Sequence, residues 1–114
     1  MTFIYPDITK DNRRCVYKLF FEDGSFYIGS TNNLSVRISG YKQAFKNSIG
    51  SVNKLIAAKS EIFTTIWFEV LEIVPLNVHP KEAEHAHIIK NSSNPLLLNR
   101  TRSAFNNSGM IKSR

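Results

Sequence analysis

Asp23-Gly24 stands between two β-prone runs, and this junction constrains the chain more than any other feature. Residues 15–21 (CVYKLFF) and 26–29 (FYIG) are rich in apolar and aromatic side chains. Glycine tolerates the positive φ that a tight connection needs, so the two runs read as antiparallel strands of a hairpin.

The pattern then changes period. Ser30-Thr-Asn-Asn33 offers several capping side chains directly before Leu34, Ile38, Tyr41 and Phe45, an apolar stripe at helical spacing. It predicts a helix over residues 33–46, closed by Asn47 and Gly50. Val52, Leu55, Ile56 and Lys59 predict a second, shorter helix opening near Ser51. Residues 63–73 are dense in β-branched and aromatic types and predict a third, central strand. Pro80 suits a first helical turn, and residues 81–90 continue that helix. Residues 91–95 end it, and Leu96-Leu-Leu98 returns to the core. The expected fold class is α+β: a small β-β-α-α-β-α domain with a three-stranded antiparallel sheet flanked by helices.

Composition bounds the function. A chain of 114 residues makes one compact domain, and 42% hydrophobic with 11% aromatic residues supplies a core. No apolar stretch nears the roughly 20 residues that cross a bilayer. The opening MTFIYPDITKDNRR has neither the apolar run of a signal peptide nor the acid-poor character of a transit peptide. The single cysteine, Cys15, fits a reducing cytosol. The net charge of +6 suggests an anionic partner. Its location is more telling: Arg100, Arg102, Lys112 and Arg114 stand in residues 100–114 with no acid, whereas residues 15–99 are almost balanced. The chain thus divides into an extension (1–14), a domain (15–99) and a basic tail (100–114). The tail reads either as a solvated terminus or as a phosphate contact.

Several side chains could carry chemistry. Tyr17 and Tyr27 lie on the paired strands, where aromatic packing is their ordinary role. Arg37 and Tyr41 share a helix face at i, i+4. Glu84 lies on the last helix, and helical acids are commonplace. In combination, Cys15-Val16-Tyr17, nine residues, Tyr27-Ile28-Gly29-Ser30, then Arg37, Tyr41, Glu84 and, fifteen residues later, Asn99 resemble the GIY-YIG nuclease family. The resemblance covers residues 15–99. It departs at Cys15, where the first tripeptide's glycine is missing, at Val16, and at His87, where a large apolar residue is expected.

The resemblance implies a Mg²⁺-dependent endonuclease, with Mn²⁺ as a substitute, that hydrolyses DNA by a one-metal mechanism. Glu84 would be the metal ligand, and Arg37 would hold the phosphate with a permanently charged fork. Tyr17 would position or deprotonate the attacking water, a task for which its ordinary pKa near 10 is poorly suited without help. Tyr27 and Tyr41 would bond the phosphate or orient the water. Gly29 would let the backbone come close, and Asn99 would support the site by hydrogen bonds. Lys42, Lys46, Arg100 and Arg102 are further candidates for phosphate contact. By the same analogy the products carry a 5′-phosphate and a 3′-hydroxyl. The few residues outside the domain argue against long-site recognition by a monomer, leaving short sites, structured DNA, dimerisation or a targeting partner. Eleven Asn and twelve Ile suit an AT-rich phage or mobile element, and the setting is a bacterial or phage-infected cytoplasm.

Other readings remain. His79, His85 and His87 invite zinc, but no cysteine pair accompanies them. Cys15 lies within a strand run and reads as a small core residue rather than a nucleophile. The domain could also be a nucleic-acid-binding module without catalysis, or a protein-interaction module whose basic tail is incidental.

Overall fold

The computed structural model describes residues 1–7, 11–47 and 54–99. The expected Gly50 and Ser51 helix boundaries, Arg100, Arg102 and the remaining tail lie outside these residues. Seven elements run in order: β1 (Thr2–Ile4), β2 (Cys15–Phe21), β3 (Phe26–Thr31), α1 (Leu34–Asn47), α2 (Lys54–Ser60), β4 (Thr65–Ile73) and α3 (Pro80–Lys90).

The hairpin forms where the sequence places it. β2 and β3 pair antiparallel, with Tyr17 opposite Gly29 and Phe20 opposite Phe26. Gly24 takes φ +86°, a left-handed value that costs glycine little. The Asp23 carboxylate accepts bonds from the Ser25 amide and hydroxyl and pairs with Lys59 at 3.1 Å, which fixes the turn. These bonds hold the Asp23 carboxyl down at about 2. At the next junction Asn33 caps α1, its Oδ1 accepting from the Val36 amide at 3.1 Å. The predicted stripe of Leu34, Ile38, Tyr41 and Phe45 is buried against the sheet.

The sheet corrects one expectation. It has four strands in the order β1-β4-β2-β3, not three, and it is mixed. β2 pairs antiparallel with both β3 and β4, and β1 lies parallel on the outer edge of β4. The extra strand comes from the segment read above as an extension. Three residues are too short to show a period, and a parallel partner more than 60 positions away leaves no local mark. Packing of the half-buried Phe3 holds it in place: its ring lies 5.2 Å from Phe45 and 6.2 Å from Tyr41. β2 and β4 are both interior strands.

The two sheet faces carry different cores. One packs Tyr17, Leu19, Phe21, Phe68 and Ile66 under α1 and α2, with aromatic rings throughout. The other is mostly aliphatic, with Val16, Ile28 and Val74 under Ala83 and Ile88 of α3 and with Phe26 in the same cluster. Arg14 ties down the connection into α3, donating to the Leu76 carbonyl at 2.9 Å and the Val78 carbonyl at 2.6 Å. His79 then caps α3 by accepting from the Lys81 amide, and Pro80 fills the first turn. Among the described residues no helix is long and apolar enough to cross a membrane.

Candidate active site

A cleft of about 460 Å³ opens at the β3 edge, between α1 and the start of α3. Tyr17, Tyr27 and Gly29 form its floor, Arg37 and Tyr41 its α1 wall, and Glu84 and Lys81 its α3 wall. Six residues singled out in the sequence therefore meet in one place, although they span positions 17 to 84. The local reasons are simple. Hairpin pairing sets Tyr17 against Gly29, the helical repeat sets Arg37 over Tyr41, and the Arg14 and His79 bonds fix where α3 begins.

The floor is tightly built. Tyr17 stacks on Phe68 at 4.8 Å between ring centres and is 2% exposed. A Cβ on Gly29 would lie 2.5 Å from the Tyr17 hydroxyl oxygen and 2.6 Å from Cζ, so the phenol occupies the space that only glycine leaves. Tyr17 and Tyr41 share a buried hydrogen bond of 2.7 Å between their hydroxyls. Burial pushes the Tyr17 hydroxyl well above its ordinary pKa, with Tyr41 adding to the rise and Arg37 opposing it. Burial also raises Tyr41, while its bonds with Tyr17 and Arg37 pull it back. Both phenols are neutral at pH 7.

The α3 wall is ionic. Ser30 donates its hydroxyl proton to Oε1 of Glu84 at 2.7 Å, and the Lys81 ammonium stands 3.5 Å from the same oxygen. Oε2 has no partner among the described residues. No group of three or more His, Cys, Asp or Glu converges on a metal site among the described residues. Glu84 is thus a lone carboxylate in an open cleft, a donor set that suits a hard cation keeping most of its waters and not a zinc ion.

Other candidates fall elsewhere. Asn99 does not line the cleft; its side-chain Oδ1 accepts from the Ile28 amide and its Nδ2 donates to the Ile28 carbonyl, both at 2.9 Å. Lys42 lies over the Tyr5 ring at 5.2 Å, and Lys46 is exposed outside the cleft lining. His87 bonds Glu72 at 2.9 Å, and His79 serves as the α3 cap. Burial raises the Cys15 thiol to about 11, which makes it a poor nucleophile. Sequence reasoning missed Lys81 and the part played by Ser30. One turn of helix separates Lys81 from Glu84, so i, i+3 spacing could have found it. In the sequence Ser30 reads as a capping candidate and as the end of the second motif, and neither signal points to Glu84.

No curated protein and no solved structure matches this chain. The family model for the GIY-YIG catalytic domain matches residues 13–96, which takes in every residue of the cleft and stops three positions short of Asn99. With well over half of its length matched, the chain belongs to the GIY-YIG family.

Proposed function

We propose that this protein is a Mg²⁺-dependent endonuclease that hydrolyses DNA phosphodiester bonds. The observation that carries the reading is the convergence of Tyr17, Tyr27, Gly29, Arg37, Tyr41 and Glu84 on one cleft of a nuclease-type domain. Hydrolysis replaces the bond from phosphorus to the 3′ oxygen with one to water, leaving a 5′-phosphate and a 3′-hydroxyl. Arg37, exposed at the cleft mouth, receives the phosphate with its planar guanidinium fork. Tyr17 orients the attacking water first as a neutral hydrogen-bonding group, because burial holds its proton on. Uptake of the water's proton requires the phenolate, which the Arg37 guanidinium favours. Tyr27 and Tyr41 bond the phosphate or hold the water in line. Glu84 would hold the Mg²⁺, for which Mn²⁺ would substitute, and the ion when bound would supply charge neutralisation to the reacting phosphate.

The proposed setting is the cytoplasm of a bacterium or phage-infected host, with duplex or structured DNA as partner. A second copy of the chain or a targeting protein would add to site recognition. Incubation of plasmid and single-stranded DNA with Mg²⁺, and then with EDTA, tests the activity. Metal-dependent cutting is the expected result. Glu84→Ala and Arg37→Ala should each lower it by about 100-fold or more, with circular dichroism and melting close to wild type. Wild-type cutting by Glu84→Ala sinks the assignment. Salt-sensitive binding without any cut by the native protein would make the domain a non-catalytic DNA-binding module instead.

A further inference from the structure

Ser30 is 8% exposed and sits in β3 opposite Val16, on the apolar face that Ile28 also lines. A hydroxyl in such surroundings needs a partner, since leaving one unpaired costs about 1–3 kcal/mol. The partner is neither its own strand nor a neighbouring turn but Oε1 of Glu84, 54 positions away, at 2.7 Å. The neighbouring hydroxyls behave differently: Thr31 and Ser35 both bond Asn33, and Ser25 bonds Asp23. The Ser30 bond joins the β3 edge to α3 across the cleft.

We propose that Ser30 is a positioning residue for the Glu84 carboxylate. It engages Oε1, which leaves Oε2 as the oxygen available to a cation. Lys81 stands on Oε1 as well, but at 3.5 Å and with 73% of its side chain exposed it is a screened, mobile partner. The short bond from the buried strand sets the carboxylate's orientation, and the solvated ammonium only balances its charge. Groups that orient a metal's ligands commonly change its affinity by 10-fold or more when removed, by roughly 10- to 100-fold. The proposal rests on the assignment of the metal to Glu84, and it adds the residue that aims that side chain.

The experiment is Mn²⁺ binding to the DNA-free protein, followed by electron paramagnetic resonance of the free ion, with no cleavage step. Ser30→Ala should weaken binding by about 10-fold or more at an unchanged circular dichroism spectrum. Ser30→Thr, which restores a hydroxyl, should recover most of that loss. A merely structural serine would lower the melting temperature without moving the Mn²⁺ midpoint, or would leave Thr as weak as Ala. Either result overturns the proposal. If Ser30→Ala fails to fold, Ser30→Cys, close in shape with a weaker donor, should show the same weakening. Glu84→Ala separates the two levels of the argument. If it binds Mn²⁺ as wild type does, the ion is not on Glu84 and both readings fall. If it loses binding while Ser30→Ala does not, only the positioning role falls.

Discussion

Two polar side chains from the C-terminal half reach the same edge strand, and they do so in opposite ways. Asn99 is 4% exposed, and its amide presents a donor and an acceptor to the Ile28 backbone two residues from Ser30. β3 is the last strand of the sheet, and Asn99 supplies Ile28 with the pair of bonds another strand would have given. Glu84 instead commits one oxygen to Ser30 and leaves the other without a hydrogen-bond or ion-pair partner among the described residues. A closed arrangement holds structure, because nothing is left to bind. A half-open one can accept a ligand. The difference separates a clamp from a reactive arm, although the two act within three residues of one strand.

The largest expected effect tests the clamp. Asn99→Ala deletes both bonds and strands the Ile28 amide and carbonyl, in a residue that is fully buried. Buried groups left unpaired cost about 1–3 kcal/mol each, so a loss of about 3 kcal/mol is expected. For a domain of this size that lowers Tm by about 10–20 °C in a thermal melt. Glu84→Gln keeps the Ser30 bond and should melt near wild type. If Asn99→Ala melts with Glu84→Gln, the contrast between clamp and arm does not hold.

How much of this was legible beforehand follows the range of each interaction. The hairpin, α1 and α3 rest on Asp23-Gly24, the Leu34–Phe45 stripe and Pro80, all signals within a few residues of what they specify. The site residues were legible as an ordered set, through their resemblance to a family whose catalytic domain matches residues 13–96. β1 was not, because its identity as a strand depends on a partner at Thr65–Trp67 and on rings gathered from α1 and β4. The Ser30–Glu84 bond was hidden for the same reason. Lys42 sits one position from Tyr41, yet that single step turns it out of the cleft towards Tyr5. His79 was grouped with the other histidines, and only the backbone around Pro80 shows it to be a cap.

The next effect concerns the floor, where a third polar arrangement is closed by packing rather than by the backbone. Gly29→Ala places a methyl carbon where the Tyr17 phenol lies. The ring must shift, and with it the bond to Tyr41. Overpacking of this kind costs about 1–3 kcal/mol. Cleavage should fall by about 100-fold, since small displacements of positioned groups have effects of that order. The discriminating measurement is paired: urea unfolding for stability and plasmid nicking for activity. Native activity in a folded Gly29→Ala protein would show that the Tyr17 position is not what the cleft requires.

The smallest effect is a pH dependence, and it asks whether the tyrosine pair is a closed unit in the same sense as Asn99. Burial raises Tyr17 well above its ordinary value and raises Tyr41 as well. In the unfolded chain each phenol gives up its proton near pH 10, whereas the folded protein keeps it. Below pH 10 both states are protonated, so the stabilisation is complete there. Above pH 10 the unfolded state alone sheds protons, and stability declines by about 1.4 kcal/mol per pH unit for each such group. Urea midpoints at pH 8 and pH 11 should therefore differ, and Tyr17→Phe should remove part of the difference while losing the 2.7 Å bond at both pH values. Tyrosinate absorbance gives an independent check, because ionisation of Tyr17 should come well above pH 10. If Tyr17 ionises near pH 10, the phenol pair is open to solvent and belongs with the Glu84 arm rather than with the Asn99 clamp.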